Sequence, residues 1–256
     1  MNQFEELLGT DFDGSPTSDL DDVIYEGLDD PRHRERVPGL VALMNDETAP
    51  ERERFLACVA LTTWAEPAGY EAVISAAGRP KQAPWYDVLI DRKFSVDNTF
   101  AQLALAVSDS DVLAREKNSL EQRVAAFRAL VRIADTEYFD EKLGDGLDSD
   151  TVRALLPDLQ EVVTRGTKEL GHGAHLPFDL ATQLVDLAAA VATVDGPRAA
   201  RLAMDVLGSA AHPRALIHAV AIVQRSNALE CREFGEYLSS IGDDDVREQV
   251  KAALAR

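Results

Sequence analysis

The stretch ERFLACVALTTW, residues 53–64, contains a spacing that recurs along the chain. An arginine is followed three, six and seven positions later by small or apolar residues, here Ala57, Ala60 and Leu61 after Arg54. The same spacing is found in QRVAAFRALVRI (122–133), in DVREQVKAALAR (245–256) and, with Asn98 in the arginine position, in DNTFAQLALAV (97–107). Positions three and seven apart lie along one helix face, and small residues there let two helices approach closely. We therefore expect packed helices, with Ala60 and its counterpart Ala129 facing the adjoining helix.

A second recurring pattern precedes some of these windows and contains a proline. VPGLVALM (37–44) and LPDLQEVV (156–163) share the same apolar spacing. A proline inside a helix bends it, because it removes a backbone donor and clashes with the preceding turn. A proline-bent helix, an acidic turn and a second helix that opens with arginine resemble the HEAT repeat. The resemblance implies an all-α, HEAT-like solenoid of antiparallel helix pairs, irregular in its second half, and it concerns architecture more than function.

The periodicity also suggests how the chain is organised. Residues 1–17 are predicted to form an acidic, disordered leader that is dispensable for folding, because they offer few apolar anchors. Residues 18–165 are predicted to form the HEAT-like repeats, with a helix over 84–91 among them. The segment 166–177, with LGHGAH within it, is expected to be a linker loop, and 178–256 to continue the same array.

The charge excludes some partners and favours others. The 256 residues carry a formal net charge of −19 and have a pI near 4.6, whereas nucleic acids and anionic membranes are bound by basic surfaces. Direct nucleic-acid binding and membrane attachment are therefore not expected. Cys58 and Cys231 lie in apolar helical patterns, so we expect buried free thiols, and the N-terminus has no secretory pattern. A cytoplasmic location is the resulting expectation.

Three short motifs suggest chemistry, but their contexts argue against it. The Asp11–Ser15 segment looks like the nucleophile box of haloacid-dehalogenase-type phosphatases, yet no buried strand precedes it. The same stretch places oxygen ligands like a calcium loop, but Pro16 occupies the position where a glycine is needed for the turn. His172 and His175 lie in a glycine-interrupted loop, which does not place two imidazoles as a helical pair does. No catalytic residue, cofactor or metal site is predicted.

The remaining candidates are residues suited to binding a protein. Tyr86 is expected at the surface, while its neighbour Trp85 fits a core stripe. The acidic region 135–150 has a high local density of negative charge and is expected to attract a basic partner. Its candidate contact residues are Asp140, Glu141, Asp145, Asp148 and Asp150.

These observations favour a binding protein over an enzyme. The expected function is that of an intracellular inhibitor or immunity protein that docks a basic protein, and bacterial immunity-type helical-repeat proteins provide a further, distant resemblance. A general scaffold or regulatory adaptor stays an alternative, as does an enzyme with an unrecognised small-molecule pocket. The oligomeric state is left open.

Overall fold

The chain is built predominantly from α-helices. A computed structural model describes residues 3–17, 19–91, 96–173 and 176–255. The helices of the first half are α1 Gln3–Leu7, α2 Leu20–Asp29, α3 His33–Asn45, α4 Glu51–Thr63, α5 Pro67–Gly78, α6 Thr99–Asp109, α7 Asp111–Glu116 and α8 Leu120–Val131. Those of the second half are α9 Lys142–Gly146, α10 Ser149–Gly171, α11 Leu180–Val191, α12 Gly196–Ser209, α13 Pro213–Arg225, α14 Leu229–Ile241 and α15 Asp244–Leu254. The predicted all-α class is confirmed.

The chain divides into two compact units, Met1–Leu130 and Val131–Arg256. In the first unit α4 is the central helix and packs against α2, α3, α5 and α6. Trp64 follows the end of α4, is fully buried and donates its indole N–H to the Ile24 carbonyl at 2.8 Å. A Cβ on Gly27 would lie 2.4 Å from the Trp64 nitrogen, so only glycine lets α2 approach this closely.

The second unit is arranged around α11. All twelve residues of α11, Leu180–Val191, are buried, and the helix packs against α9, α10, α12 and α13. A helix that is apolar on most sides is stable only when neighbouring elements cover every face. The sequence of α11, LATQLVDLAAAV, is of this kind, and the four neighbouring helices provide the cover. Three of its buried side chains are polar. Thr182 bonds to Asp179 at the start of the helix, whereas Gln183 and Asp186 bond to neighbouring elements and are considered with the site below.

The recurring arginine has one physical role in three of the four windows. Arg54 Nε donates to the Met44 carbonyl at 3.1 Å, at the C-terminal end of α3. Arg123 Nε donates to the Val107 carbonyl in the last turn of α6 at 3.0 Å, and Arg247 Nε donates to the Ser239 carbonyl in the last turn of α14 at 3.3 Å. The last carbonyls of a helix have no partner within it and form its negative end, so a guanidinium there stabilises the preceding helix. Of the two alanines singled out, Ala60 is buried, whereas Ala129 is only half-buried.

The N-terminal segment is packed, which corrects the expectation of a disordered leader for its described residues 3–17. Leu8 is fully buried and Phe12 is buried. The Arg36 guanidinium on α3 donates to three carbonyls of the segment, those of Leu7, Thr10 and Asp11, at 2.7–2.8 Å, and lies 4.1 Å from the Phe12 ring centroid. Few apolar anchors suffice here because Arg36, together with Arg32 at the Phe12 carbonyl, bonds several backbone groups of the segment.

Two further expectations about the organisation are wrong. The expected linker 166–177 is not a loop at its start, because α10 continues without a break to Gly171; residues 174 and 175, including His175, lie outside the described residues. The helix expected over 84–91 is replaced by turns and by the two-residue strand β1 Ile90–Asp91, which pairs antiparallel with β2 Val96–Asp97. Asp87 has a φ of 62°, a left-handed conformation that does not occur within a right-handed helix.

Candidate functional site

The acidic region 135–150 is anchored at its start by a buried ion pair. Asp135 is 4% exposed and both of its carboxylate oxygens accept hydrogen bonds from Arg165 on α10. The same guanidinium donates to the Arg132 carbonyl at 2.7 Å. Gln183 on α11 adds to this, because its amide nitrogen donates to the Ala134 and Glu137 carbonyls. The turn that begins the acidic region is therefore held rigidly against α10 and α11.

Two of the predicted contact residues form ion pairs with α13. Asp140 accepts a hydrogen bond from Arg214 at 3.0 Å, and Asp145 accepts one from Arg225 at 2.8 Å. Arg214 and Arg225 lie at opposite ends of α13. Part of the negative charge that was expected to face a partner is thus neutralised within the chain.

The other predicted residues have different environments. Asp148 is the N-cap of α10, and its carboxylate accepts hydrogen bonds from the backbone N–H groups of Asp150 and Thr151. Glu141 and Asp150 are exposed, and Asp150 pairs with Arg153 one turn along the same helix. Tyr86, in the first unit, is half-buried next to the buried Trp85. A role for these residues in partner binding stays a prediction.

A small cleft beside the acidic region contains a carboxylate–imidazole pair. Asp186 on α11 and His218 on α13 line a cavity of about 220 Å³ together with Glu141 and Asp145. His218 Nδ1 lies 2.7 Å from Asp186 Oδ1. Burial raises the pKa of Asp186 to about 6, and the contact with His218 only partly offsets this.

The described residues that line the cleft include no serine, threonine, cysteine or lysine side chain. Cys58 and Cys231 are both buried free thiols, as predicted, and burial raises the pKa of Cys58 to about 12. The reactive form of cysteine is the thiolate, which so high a pKa disfavours. Within the described residues there is also no group of three or more histidine, cysteine, aspartate or glutamate side chains placed to hold a metal ion.

A larger groove lies between α12 and α14 in the second unit. It encloses about 440 Å³, and apolar side chains form its floor: Pro197, Ala200, Met204, Phe234 and Tyr237. Phe234 and Tyr237 stack with ring centroids 6.3 Å apart, which fixes an aromatic surface. Met204 is 40% exposed, unusual for a methionine in the middle of a helix that buries seven of its residues.

Charged side chains form the rim of this groove. Asp205 on α12 and Glu230 and Glu233 on α14 are exposed, and Arg201 is the basic residue of the rim. The rim therefore has a net charge of −2. An apolar floor with an acidic edge is complementary to a helix that has one apolar face and basic side chains flanking it.

Sequence reasoning missed this groove. Its two walls, α12 and α14, are separated in the chain by α13, so no short sequence spacing relates Met204 to Phe234. The exposed apolar residues were the available signal: Met204 interrupts the polar face of α12, and Leu229, at the start of α14, is 67% exposed.

Comparison with protein-family models, with curated proteins and with solved structures gave no match for this chain. Within the described ranges, every helix is too short or too polar to cross a bilayer.

Proposed function

We propose that this protein works by binding a basic protein, and that the groove between α12 and α14 receives an amphipathic helix of that partner. The groove is the observation that carries the proposal, because it combines an exposed apolar floor with an acidic rim. Apolar and aromatic side chains at the centre of an interface supply most of its binding energy, and the charged rim supplies orientation and association rate.

The net charge of −19 supports the same partner chemistry. A strongly acidic protein attracts basic partners over distances of about the Debye length, roughly 8 Å at physiological ionic strength. In this proposal the acidic region 135–150 contributes to the long-range attraction, while the groove holds the docked helix.

A HEAT-like repeat architecture is part of the proposal. Pro38 lies inside α3 and Pro157 inside α10, as in the bent first helices of that repeat. The carbonyl contacts of Arg54, Arg123 and Arg247 give the recurring windows a common structural role. We propose that the helix pairs α3–α4 and α14–α15 are such units, extended by less regular helices into a solenoid.

A titration with a defined probe tests the proposal. The probe is a fluorescein-labelled synthetic peptide of 18 residues, built from lysine, leucine and alanine so that a helix has one apolar and one basic face. We expect fluorescence anisotropy to show saturable, one-to-one binding that weakens as salt is added. A scrambled peptide of the same composition should bind at least about tenfold more weakly, because its apolar residues no longer share a face.

Two double variants, each of which removes two negative charges, locate the binding site. Glu230→Gln with Glu233→Gln removes two negative charges from the groove rim, and Asp140→Asn with Asp145→Asn removes two from the acidic region. We expect the first pair to weaken peptide binding at least about fivefold and the second less than about twofold, because rim charges act most strongly at short range. Equal effects would mean that only net charge matters and would contradict docking in the groove.

The same proposal includes an inhibitory role in the cell, as an immunity-type protein that occupies a basic effector. Isolation of the stoichiometric partner from native cells, followed by an assay of that partner's activity, separates this role from the alternative. Loss of the partner's activity on binding supports inhibition. Unchanged activity in the complex supports a scaffold or adaptor.

A further inference from the structure

The first unit contains a cavity that the proposed function does not use. It encloses about 620 Å³ and lies between α3, α5 and the turn that follows α5. Its walls combine apolar side chains such as Val41, Met44 and Trp85 with a similar share of polar groups. A concave site of several hundred cubic ångströms with an apolar part and convergent polar groups is a candidate small-molecule site.

Trp85, in the wall of this cavity, has an unsatisfied hydrogen-bond donor. The residue is 4% exposed, and its ring packs against Phe55 with centroids 6.3 Å apart. Its indole Nε1–H is buried and has no hydrogen-bond partner among the residues that the structure describes. The other tryptophan of the chain, Trp64, donates its N–H to a carbonyl. Buried donors are nearly always paired because an unpaired one is costly, so an acceptor brought by a ligand would stabilise Trp85 once a small movement of the cavity wall uncovers its N–H.

The charged side chains of the cavity indicate what kind of acceptor fits. Arg54 and Arg79 line it together with Glu71, so its wall carries a net charge of +1 in a chain whose total is −19. Arg54 is already oriented, because its Nε donates to the Met44 carbonyl and fixes the side chain at the cavity wall. Guanidinium groups and an indole N–H are donors only, and carboxylates are the acceptors that such groups bind best.

We propose that this cavity is a binding site for a small apolar carboxylate, an aromatic or aliphatic monocarboxylic acid. The carboxylate lies at the Arg54 and Arg79 side chains and accepts the Trp85 N–H after a small movement of the cavity wall. The apolar body of the ligand packs against Val41, Met44 and the Trp85 ring. The site belongs to the first unit and is independent of the groove between α12 and α14.

The methionines and tryptophans of the chain provide reporters for a direct test. The sequence has three methionines, and Met44 lies in this cavity while Met204 lies in the groove. The protein is labelled at its methionine methyl groups and indole nitrogens and titrated with 2-naphthoate, followed by NMR. We expect saturable shifts of the Met44 methyl and a downfield shift of the Trp85 indole proton, with Met204 and the Trp64 indole unchanged. The dissociation constant should be about 1 mM or lower for a ligand of this size.

Matched ligands and variants decide the chemical class. The uncharged 2-naphthamide should bind at least about fivefold more weakly, because it lacks the charge that the arginines recognise. Arg79→Met should weaken naphthoate binding by about tenfold and leave naphthamide binding unchanged, whereas Arg34→Met, at an exposed position on α3, should change neither. Trp85→Phe keeps an aromatic ring in the wall but removes the donor, and should also weaken naphthoate binding.

Several results would overturn the proposal. Naphthoate is added up to a concentration 10-fold above the expected dissociation constant of about 1 mM. If neither the Met44 methyl nor the Trp85 indole shows a saturable shift, the cavity is not a site for this class of ligand. Equal affinity for naphthoate and naphthamide would show that the charge of the ligand does not contribute to binding. If Arg79→Met and Trp85→Phe bind naphthoate as tightly as the wild-type protein does, these two residues do not take part in binding.

Discussion

The N-terminal segment 3–17 and the later part of the acidic region, residues 140–150, are similar in composition, but arginines of neighbouring helices contact them through different atoms. Both are acidic and rich in turns, and in both a neighbouring helix supplies arginines. In the N-terminal segment Arg36 donates to backbone carbonyls, whereas Arg214 and Arg225 pair with the carboxylates of Asp140 and Asp145. The composition of an acidic segment thus does not reveal whether its charges or its backbone are bonded.

The two kinds of contact should differ in strength. Arg36 is half-buried, and its three carbonyl partners would lose their hydrogen bonds together if it were removed. Arg214, with 52% of its side chain exposed, forms a surface ion pair of the kind that contributes between zero and about 1 kcal/mol. We therefore expect the Arg36 contacts to contribute more to folding than the Arg214 and Arg225 ion pairs.

The largest effect is expected for Arg36→Ala. Loss of three charge-assisted bonds to carbonyls should lower the free energy of unfolding by about 2–4 kcal/mol, measured by urea denaturation. Arg34→Ala, on the same helix but exposed, should change it by less than about 0.5 kcal/mol. A small effect for Arg36→Ala would restore the idea of a dispensable leader.

The next effect concerns Asp186, the buried carboxylate beside the acidic region. Burial raises its pKa to about 6, above the value of about 3.9 in an unfolded chain. The folded state therefore favours the neutral acid, and the stability this provides is complete below pH 4 and is lost as the pH rises through about 6.

Comparison with Asp186→Asn isolates that contribution. Between pH 4 and pH 6 the free energy of unfolding of the wild-type protein should fall by about 2 kcal/mol relative to that of the variant. Urea denaturation of both proteins at several pH values measures the difference. A wild-type protein that instead gains stability relative to the variant would show that Asp186 is ionised and paired with a charged His218.

A smaller effect is expected when the paired carboxylates of the acidic region are neutralised. Asp140→Asn combined with Asp145→Asn should lower the free energy of unfolding by about 1 kcal/mol or less, and 1 M salt should abolish most of the difference. A loss that persists in high salt would mean that these residues, like Arg36, hold the backbone in place.

The smallest effect is expected for Asp13→Asn in the N-terminal segment. The Asp13 side chain is 78% exposed and lies 3.3 Å from Arg32. Its neutralisation should change the thermal midpoint by no more than about 1 °C, because an exposed pair contributes little. A larger change would mean that the carboxylates of this segment matter as much as those of the acidic region.

Local periodicity predicted most of the helices and the burial of Ala60, Trp85 and the two cysteines, because these depend on residues within a turn or two. It failed where a contact spans many residues. Arg36 bonds to carbonyls 25–29 residues earlier, and nothing within residues 1–17 indicates that partner. The helix predicted over 84–91 failed for a local reason, the left-handed backbone of Asp87, which an aspartate adopts more readily than most residues.

The candidate site was less predictable than the fold. The acidic region was found from its charge density, but the arginines that neutralise part of it lie 74 and 80 residues away on α13. The groove depends on how α12 packs against α14, so its floor and rim are assembled only in the folded chain. Charge counting identified the chemistry of the proposed partner and gave no information about the surface.

The most direct test of basic-helix binding uses the methyl resonances of Met204 and Met44. The protein with labelled methionine methyl groups is titrated with the lysine–leucine–alanine peptide. We expect a saturable shift of the Met204 methyl resonance, in the floor of the groove, and no shift of the Met44 methyl resonance. Binding by anisotropy without any change at Met204 would contradict docking in the groove, because the peptide would then be held on a different surface.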